Sequence, residues 1–347
     1  MKKIILINII CLFVTPSILY GQNISTKDSI ANFYNDFISN LKSDYLKRKD
    51  VRWDEIESYA IENAIKSKSF DESLKITTLV FDTIGCNHCH LFSENGSYGS
   101  TLNKSLTQDD FSKEFILKYE SQPPLEVKLI NENIGYIQMP AMLMIDLTQD
   151  SLNKETQKMY DKIAALAKKN RPVGWIVDLR FNTGGNVYPM LASLHYLLGN
   201  SVVYKEQDAN GNISKSNTLK DGSFYSGDKL EAKAEITMEP DLEVPVAIIT
   251  GKMTGSSGED IAVAFKNREN TVFIGEKSYG LLTGNDLVEL PYDTKLALTI
   301  CYIVDSNDEY REYINPDIIV SKKDNFKDLN KDENIIKALD FFSNVKD

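Results

Sequence analysis

Residues 244–268 read VPVAIITGKMTGSSGEDIAVAFKNR. The apolar, β-branched run from Val244 to Thr250 has the composition of a buried strand. A glycine-bearing turn follows, and residues 259–268 have a helix-like pattern. Ser256 falls where the strand turns into the helix. Unpaired backbone N–H groups point outward at such a place, and the helix dipole adds partial positive charge. An acyl-transfer enzyme needs that environment for its nucleophile and its oxyanion. The same letters also spell a capping box, Ser256-x-x-Glu259, whose ordinary work is to start a helix. The segment alone leaves both readings open.

Working outward, the texture is that of an α/β layer protein. Strands are expected over residues 133–139, 174–179, 244–250, 272–275 and 296–304, and helices over 152–169 and 188–198. Asn210-Gly211 between two strand-like runs, 202–206 and 213–218, is a hairpin turn signal. Alternating strands and helices put functional sites at strand C-terminal ends. Before residue 124 the pattern is mainly helical. Ile30, Phe33, Phe37, Leu41 and Tyr45 recur at three- or four-residue steps, Trp53, Ile56, Ala60 and Ala64 continue on a second helix, and residues 74–84 suggest a third. The Gly-, Ser- and Asn-rich stretch 95–107 reads as an exposed loop, and Pro123-Pro124 marks a boundary. The expected organisation is a leader over residues 1–21, a small helical domain over 22–124 and an α/β core over 125–347.

The leader is a positively charged Met1-Lys2-Lys3 followed by an apolar block to Tyr20, with a cleavage point near Gly21/Gln22. It implies a periplasmic or secreted protein with no membrane span after cleavage. The small residues that precede a lipidated cysteine are absent around Cys11. A formal charge of −11 argues against a nucleic-acid partner. After the leader only Cys86, Cys89 and Cys301 remain, too few for a disulfide scaffold, although a Cys86–Cys89 bridge is compatible with an oxidising compartment.

Two further constellations bear chemistry. Asp178-Leu179-Arg180 ends a strand and runs into Asn182-Thr183-Gly184-Gly185-Asn186, where paired glycines allow close backbone approach or merely a tight turn. Gly85-Cys86-Asn87-His88-Cys89-His90 holds two of the three histidines. A neutral imidazole is the usual base for a serine hydroxyl. The same letters, through Cys86, Cys89 and His90, match a c-type haem attachment sequence, and a Cys/His metal site or a polar turn is also open.

Taken in order, these motifs resemble the tail-specific (C-terminal processing) serine peptidases, in a tricorn-like branch without a PDZ domain. The resemblance rests on Cys86-Asn87-His88-Cys89-His90-Leu91, on Gly135-Tyr136-Ile137, and on Gly174 through Arg180 with Asn182, Gly184, Gly185 and Pro189-Met190-Leu191. It continues through Thr254-Gly255-Ser256-Ser257-Gly258-Glu259, then Gly275-Glu276, Gly280, Thr283, Asn285 and Pro316-Asp317. It implies a ClpP/crotonase-like α/β core behind a helical domain, and a peptidase needing no cofactor or metal that acts on peptide or protein substrates. It further implies Ser256 as nucleophile, with the N–H groups of Ser257 and of Gly184 or Gly185 as oxyanion donors. Leu281 stands where many members have a lysine base, so His88 is the base implied, with His90 in reserve. The acid orienting it is expected at Glu276, with Glu309 and Glu312 as alternatives. Cys86 replaces the branch's aspartate, and together with Leu281 it keeps open a non-catalytic peptide- or ligand-binding protein on the same fold.

Overall fold

The computed structural model describes residues 26–103 and 105–345; the expected leader and Cys11 lie outside them. The first apolar stripe forms α1 (Thr26–Asp44), which buries Ile30, Phe33, Tyr34, Phe37, Ile38 and Leu41. This face packs with α2 (Trp53–Ala64), α3 (Phe70–Ser73) and α4 (Lys75–Ile84) in one apolar cluster. Gly85, in the left-handed region at φ 70°, stops α4. The chain then turns through residues 86–89 into the hairpin β1 (His90–Ser93) and β2 (Gly96–Gly99), and α5 (Lys113–Glu120) follows. The stretch expected as an exposed loop thus supplies β2. Composition missed it because pairing with β1 decides the strand, and Gly99 leaves room for the His90 ring against its backbone.

The remaining chain runs β3 (Glu126–Ile130), β4 (Ile134–Gln138), α6 (Gln149–Asn170), β5 (Gly174–Asp178), α7 (Val187–Ser193) and α8 (His195–Leu198). Next come β6 (Ser201–Gln207), β7 (Ile213–Lys220), β8 (Ser223–Ser226), β9 (Lys229–Lys233) and β10 (Val246–Thr250). It ends with α9 (Ser257–Ala264), β11 (Thr271–Gly275), β12 (Thr283–Leu290), β13 (Thr294–Val304), β14 (Ile318–Ile319) and α10 (Glu333–Val345). The Asn210-Gly211 turn does join the antiparallel pair β6 and β7.

One sheet has the order β14-β11-β10-β5-β4-β3 and is parallel except for the β3–β4 pair. Its central strands are buried on both faces, as helices packed on either side require. Val246 stands opposite Trp175, and with Ile248, Val177 and Phe273 these side chains enter the main core under α7 and α9. The alternate residues Ile176, Ala247, Ile249 and Ile274 meet Ile335, Ala338 and Phe342 of α10 on the other face. Each large aliphatic side chain so buried contributes about 1.5–3 kcal/mol, which makes this sheet the rigid element behind the site.

The second sheet has the order β2-β1-β13-β6-β7-β8-β9, with β12 also paired to β13. It joins the two halves of the chain. His90 stands opposite Ala297 across the β1–β13 pair, and the helical cluster is completed by Leu290, Leu296 and Leu298 of β12 and β13. The N-terminal helices therefore pack on strands from near the C-terminal end, and the turn at residues 86–89 is carried to the start of β12. The protein is a mixed α/β fold with an N-terminal helical region. Among the described residues no helix is long and apolar enough to cross a membrane.

Candidate active site

Ser256 follows β10 by a five-residue turn and opens α9 with φ 51° and ψ −125°. Ordinary N-caps take extended backbone angles, whereas a non-glycine residue held here costs roughly 1–3 kcal/mol. The capping box with Glu259 is present, so the bland sequence reading is correct about helix initiation. It does not explain the left-handed backbone. What holds that conformation is the buried Glu259 carboxylate. Its Oε2 accepts from the Ser256 N–H at 3.0 Å and the Leu281 N–H at 2.8 Å. Its Oε1 accepts from Ser278 Oγ at 2.5 Å and the Gly280 N–H at 2.8 Å. Burial pushes this carboxyl's pKa up, and the four donors oppose that shift.

The paired glycines lie directly against this serine. Gly184, at φ 120°, approaches so closely that a Cβ there would sit 2.9 Å from Ser256 Cβ and 3.3 Å from Oγ. Gly185, at φ 110°, packs on the segment after β4, where a Cβ would fall 2.0 Å from the Met142 carbonyl oxygen. The loops after β4, β5 and β10 are stitched into one rim. Met142 N–H donates to Gly184 O, Asn186 N–H to Met142 O, and Gly255 N–H to Asn182 O. Thr254 Oγ1 donates to Leu179 O and Ser257 Oγ to Gly185 O. The Gly184 N–H is already bound by Asn182 Oδ1 at 3.0 Å. The Gly185 and Ser257 N–H groups have no such partner among the described residues.

Below the rim, Arg180 anchors the end of β5. Its buried guanidinium binds Asp178 through two nitrogens and also reaches Asp324 and Asp332. Tyr136 donates to Asp178 from β4. Charges this deep are kept by pairing, and the cluster ties β4, β5 and the segment before α10 together.

His88 projects from the turn before β1, part-buried, with its Nδ1 at 2.7 Å from Thr283 Oγ1 at the start of β12. Leu281, whose N–H is held by Glu259, is two residues before Thr283. The neighbourhoods of Ser256 and His88 thus connect through Glu259, the Gly280–Leu281 backbone and Thr283. Desolvation, helped by the nearby His90, lowers the His88 pKa to about 4, so the imidazole is neutral at physiological pH. His90 is likewise lowered to about 4 by burial, and its Nε2 contacts Ser97 Oγ at 2.9 Å. His195, the third histidine, is buried on α8 against Asn200.

The residues expected as the orienting acid are engaged elsewhere. Glu276 Oε1 accepts from Ser321 Oγ at 2.6 Å and lies 3.7 Å from Lys252 Nζ. Glu309 pairs with Arg311, and Glu312 with Tyr313. The group on His88 Nδ1 is a hydroxyl, that of Thr283. Sequence reasoning reached Thr283 only as a motif letter, because its role depends on a contact across 195 positions. Glu259 reads in the sequence as a helix cap and a motif letter, and its hold on Gly280 and Leu281 is invisible there for the same reason. Cys86 and Cys89 are bonded to each other and buried, which consumes the thiols that haem attachment requires. No group of three or more His, Cys, Asp or Glu side chains among the described residues is arranged to hold a metal ion.

Peptidase family S41 matches residues 133–320, a span that includes Ser256 and both glycines but begins after His88. The nisin-resistance protein of Lactococcus lactis subsp. lactis is 26% identical over 272 residues, covering 77% of this chain and 76% of that protein. A lipoprotein from Streptococcus agalactiae shares the fold at TM-score 0.66 and 22% identity, over 96% of this chain and 99% of that one. The photosystem II D1 C-terminal processing protease does so at TM-score 0.54 and 12% identity, over 89% and 96%.

Proposed function

The chain belongs to peptidase family S41, and we propose that it is an exported serine peptidase in which Ser256 and His88 act together. Ser256 Oγ attacks the scissile carbonyl carbon while His88 Nε2 takes its proton. The N–H groups of Gly185 and Ser257 receive the oxyanion. The tetrahedral intermediate then collapses, the imidazolium returns the proton to the leaving amine, and water releases the acyl-enzyme by the same base. With Nδ1–H donating to Thr283 Oγ1, Nε2 carries the lone pair the reaction needs. Thr283 thereby takes the orienting position expected for Glu276. Gly185 is preferred to Gly184 as donor because the Gly184 N–H is bound by Asn182.

The observation that carries this reading is Ser256 itself, a non-glycine residue in a left-handed conformation at a helix N-terminus with Gly184 pressed against its side chain. Substrates are peptides or proteins. A groove of about 470 Å³ beside the rim, lined by Met139, Met142, Leu143 and Ile145 among others, offers apolar contact to them. Export is supported by the leader pattern and by the Cys86–Cys89 disulfide. Fluorophosphonate labelling of the folded protein tests the nucleophile: Ser256→Ala removes it, and persistent labelling of that variant refutes the assignment. Labelling without turnover of any peptide library, together with tight peptide binding, would favour the non-catalytic alternative. N-terminal sequencing of protein recovered from its host tests export, with a mature start near residue 22 as the expected result.

A further inference from the structure

His88 is held within a four-residue ring closed by the Cys86–Cys89 disulfide. Both half-cystines are nearly inaccessible, at 2% and 1% exposure, and they pack on Thr299 Oγ1 at 3.5 and 3.6 Å. Thr299 Oγ1 donates to Asn285 Oδ1 at 2.8 Å, and Asn285 Nδ2 donates to the His88 carbonyl at 3.0 Å. The ring is moored at one end by Cys86 N–H to Phe81 O of α4, and at the other by the pairing of β1 with β13. Between those moorings Asn87 is exposed. A loop this short removes little freedom from the unfolded chain compared with a long one, so the effect of the bond is local.

We propose that the Cys86–Cys89 disulfide, with Thr299 and Asn285, is a positioning device for the His88 imidazole, and that the peptidase works at full rate only in its oxidised form. The inference rests on the reading of His88 as general base. Opening the ring is a two-electron reduction by a dithiol. One reductant thiolate attacks a cysteine sulfur, forming a mixed disulfide and releasing the other cysteine as thiolate. The second reductant thiol then closes the reductant's own disulfide, and both cysteines leave as thiols after protonation. The freed turn lets the ring move off Thr283, and a displacement of about 1 Å is enough to cost roughly a hundredfold in rate.

The test measures the rate of fluorophosphonate labelling at Ser256 against pH in the full mature chain. Wild type, His88→Ala, Cys86→Ala/Cys89→Ala and the triple variant are compared, with thermal melts as the folding control. Removing both cysteines is expected to slow labelling by at least about tenfold and to move its acid inflection from near 4 up toward about 6.5, the value of a solvated imidazole. In the His88→Ala background the same removal is expected to have no further effect, because two groups acting through one imidazole are not additive. Should the cysteine-free protein not fold, dithiothreitol-treated wild type replaces it, with recovery on reoxidation as the expected result. A folded cysteine-free protein that labels at the wild-type rate with an unmoved inflection overturns the proposal. So does an equal loss in both backgrounds, which would mark the bond as a general structural staple. A His88→Ala variant that labels as fast as wild type overturns the base assignment itself, and this proposal with it.

Discussion

Glu259→Gln isolates the group that seats Ser256. The carboxylate accepts four donors, two on each oxygen. An amide replaces one oxygen with a donor, and the less costly orientation puts the nitrogen at the Oε1 position. The Ser278 hydroxyl already accepts from the Ile314 N–H, and it can turn to accept from the amide as well. The Gly280 N–H is then left facing N–H. One buried backbone donor without a partner costs about 1–3 kcal/mol, and the two bonds kept at Oε2 lose their charge assistance. Against this stands relief from burying an anion, the term that raises the Glu259 pKa in the native protein. The balance is a destabilisation of about 2 kcal/mol for Gln. It is larger for Ala, which orphans all four donors. Urea denaturation at neutral pH measures the first quantity. Because the Ser256 N–H is among the donors, fluorophosphonate labelling should slow as well. A Gln variant within about 0.5 kcal/mol of wild type, labelling at the wild-type rate, would refute the argument that this carboxylate holds Ser256 in its left-handed conformation.

Other consequences are more direct. Gly184→Ala sets a methyl group 2.9 Å from Ser256 Cβ at a φ of 120°, so labelling should fall by about a hundredfold or more, while the sheet's secondary structure, followed by circular dichroism, persists. Arg180→Met leaves Asp178 and Asp332 buried without their cation, a loss of about 3–5 kcal/mol by denaturation. The pKa values of His88 and His90 are lowered in the folded protein, each to about 4. The unfolded chain therefore binds more protons between about 6.5 and 4. The stability these imidazoles contribute is complete above about pH 6.5 and is lost as pH falls toward 4, by up to about 3 kcal/mol each. Melts from pH 7 to pH 4 should show that decline, and a His88→Ala/His90→Ala variant should show less of it.

The parallel core was legible because its cause is local. Residues 174–178 and 246–250 are apolar at every position or nearly so, which is what a strand covered on both faces demands, and the helices between them have three- to four-residue periodicity. The turn residues Gly184, Gly185 and Ser256 stood out for the same reason. The two glycines mark places where backbone geometry restricts the choice of side chain, and Ser256 marks the point where a strand turns into a helix. What no local pattern contained is which distant groups meet. Glu259 reads as a helix cap, yet it binds Gly280 and Leu281. Glu276 is a motif residue, yet it faces Lys252 and Ser321 while Thr283 takes the place beside His88. Strand β2 hid within a loop-like composition because its stability comes from its partner. Chain periodicity specifies which elements form and which faces are buried; the pairing of β1 with β13, formed by segments about two hundred residues apart, decides that the turn carrying His88 lies against Thr283 at the start of β12.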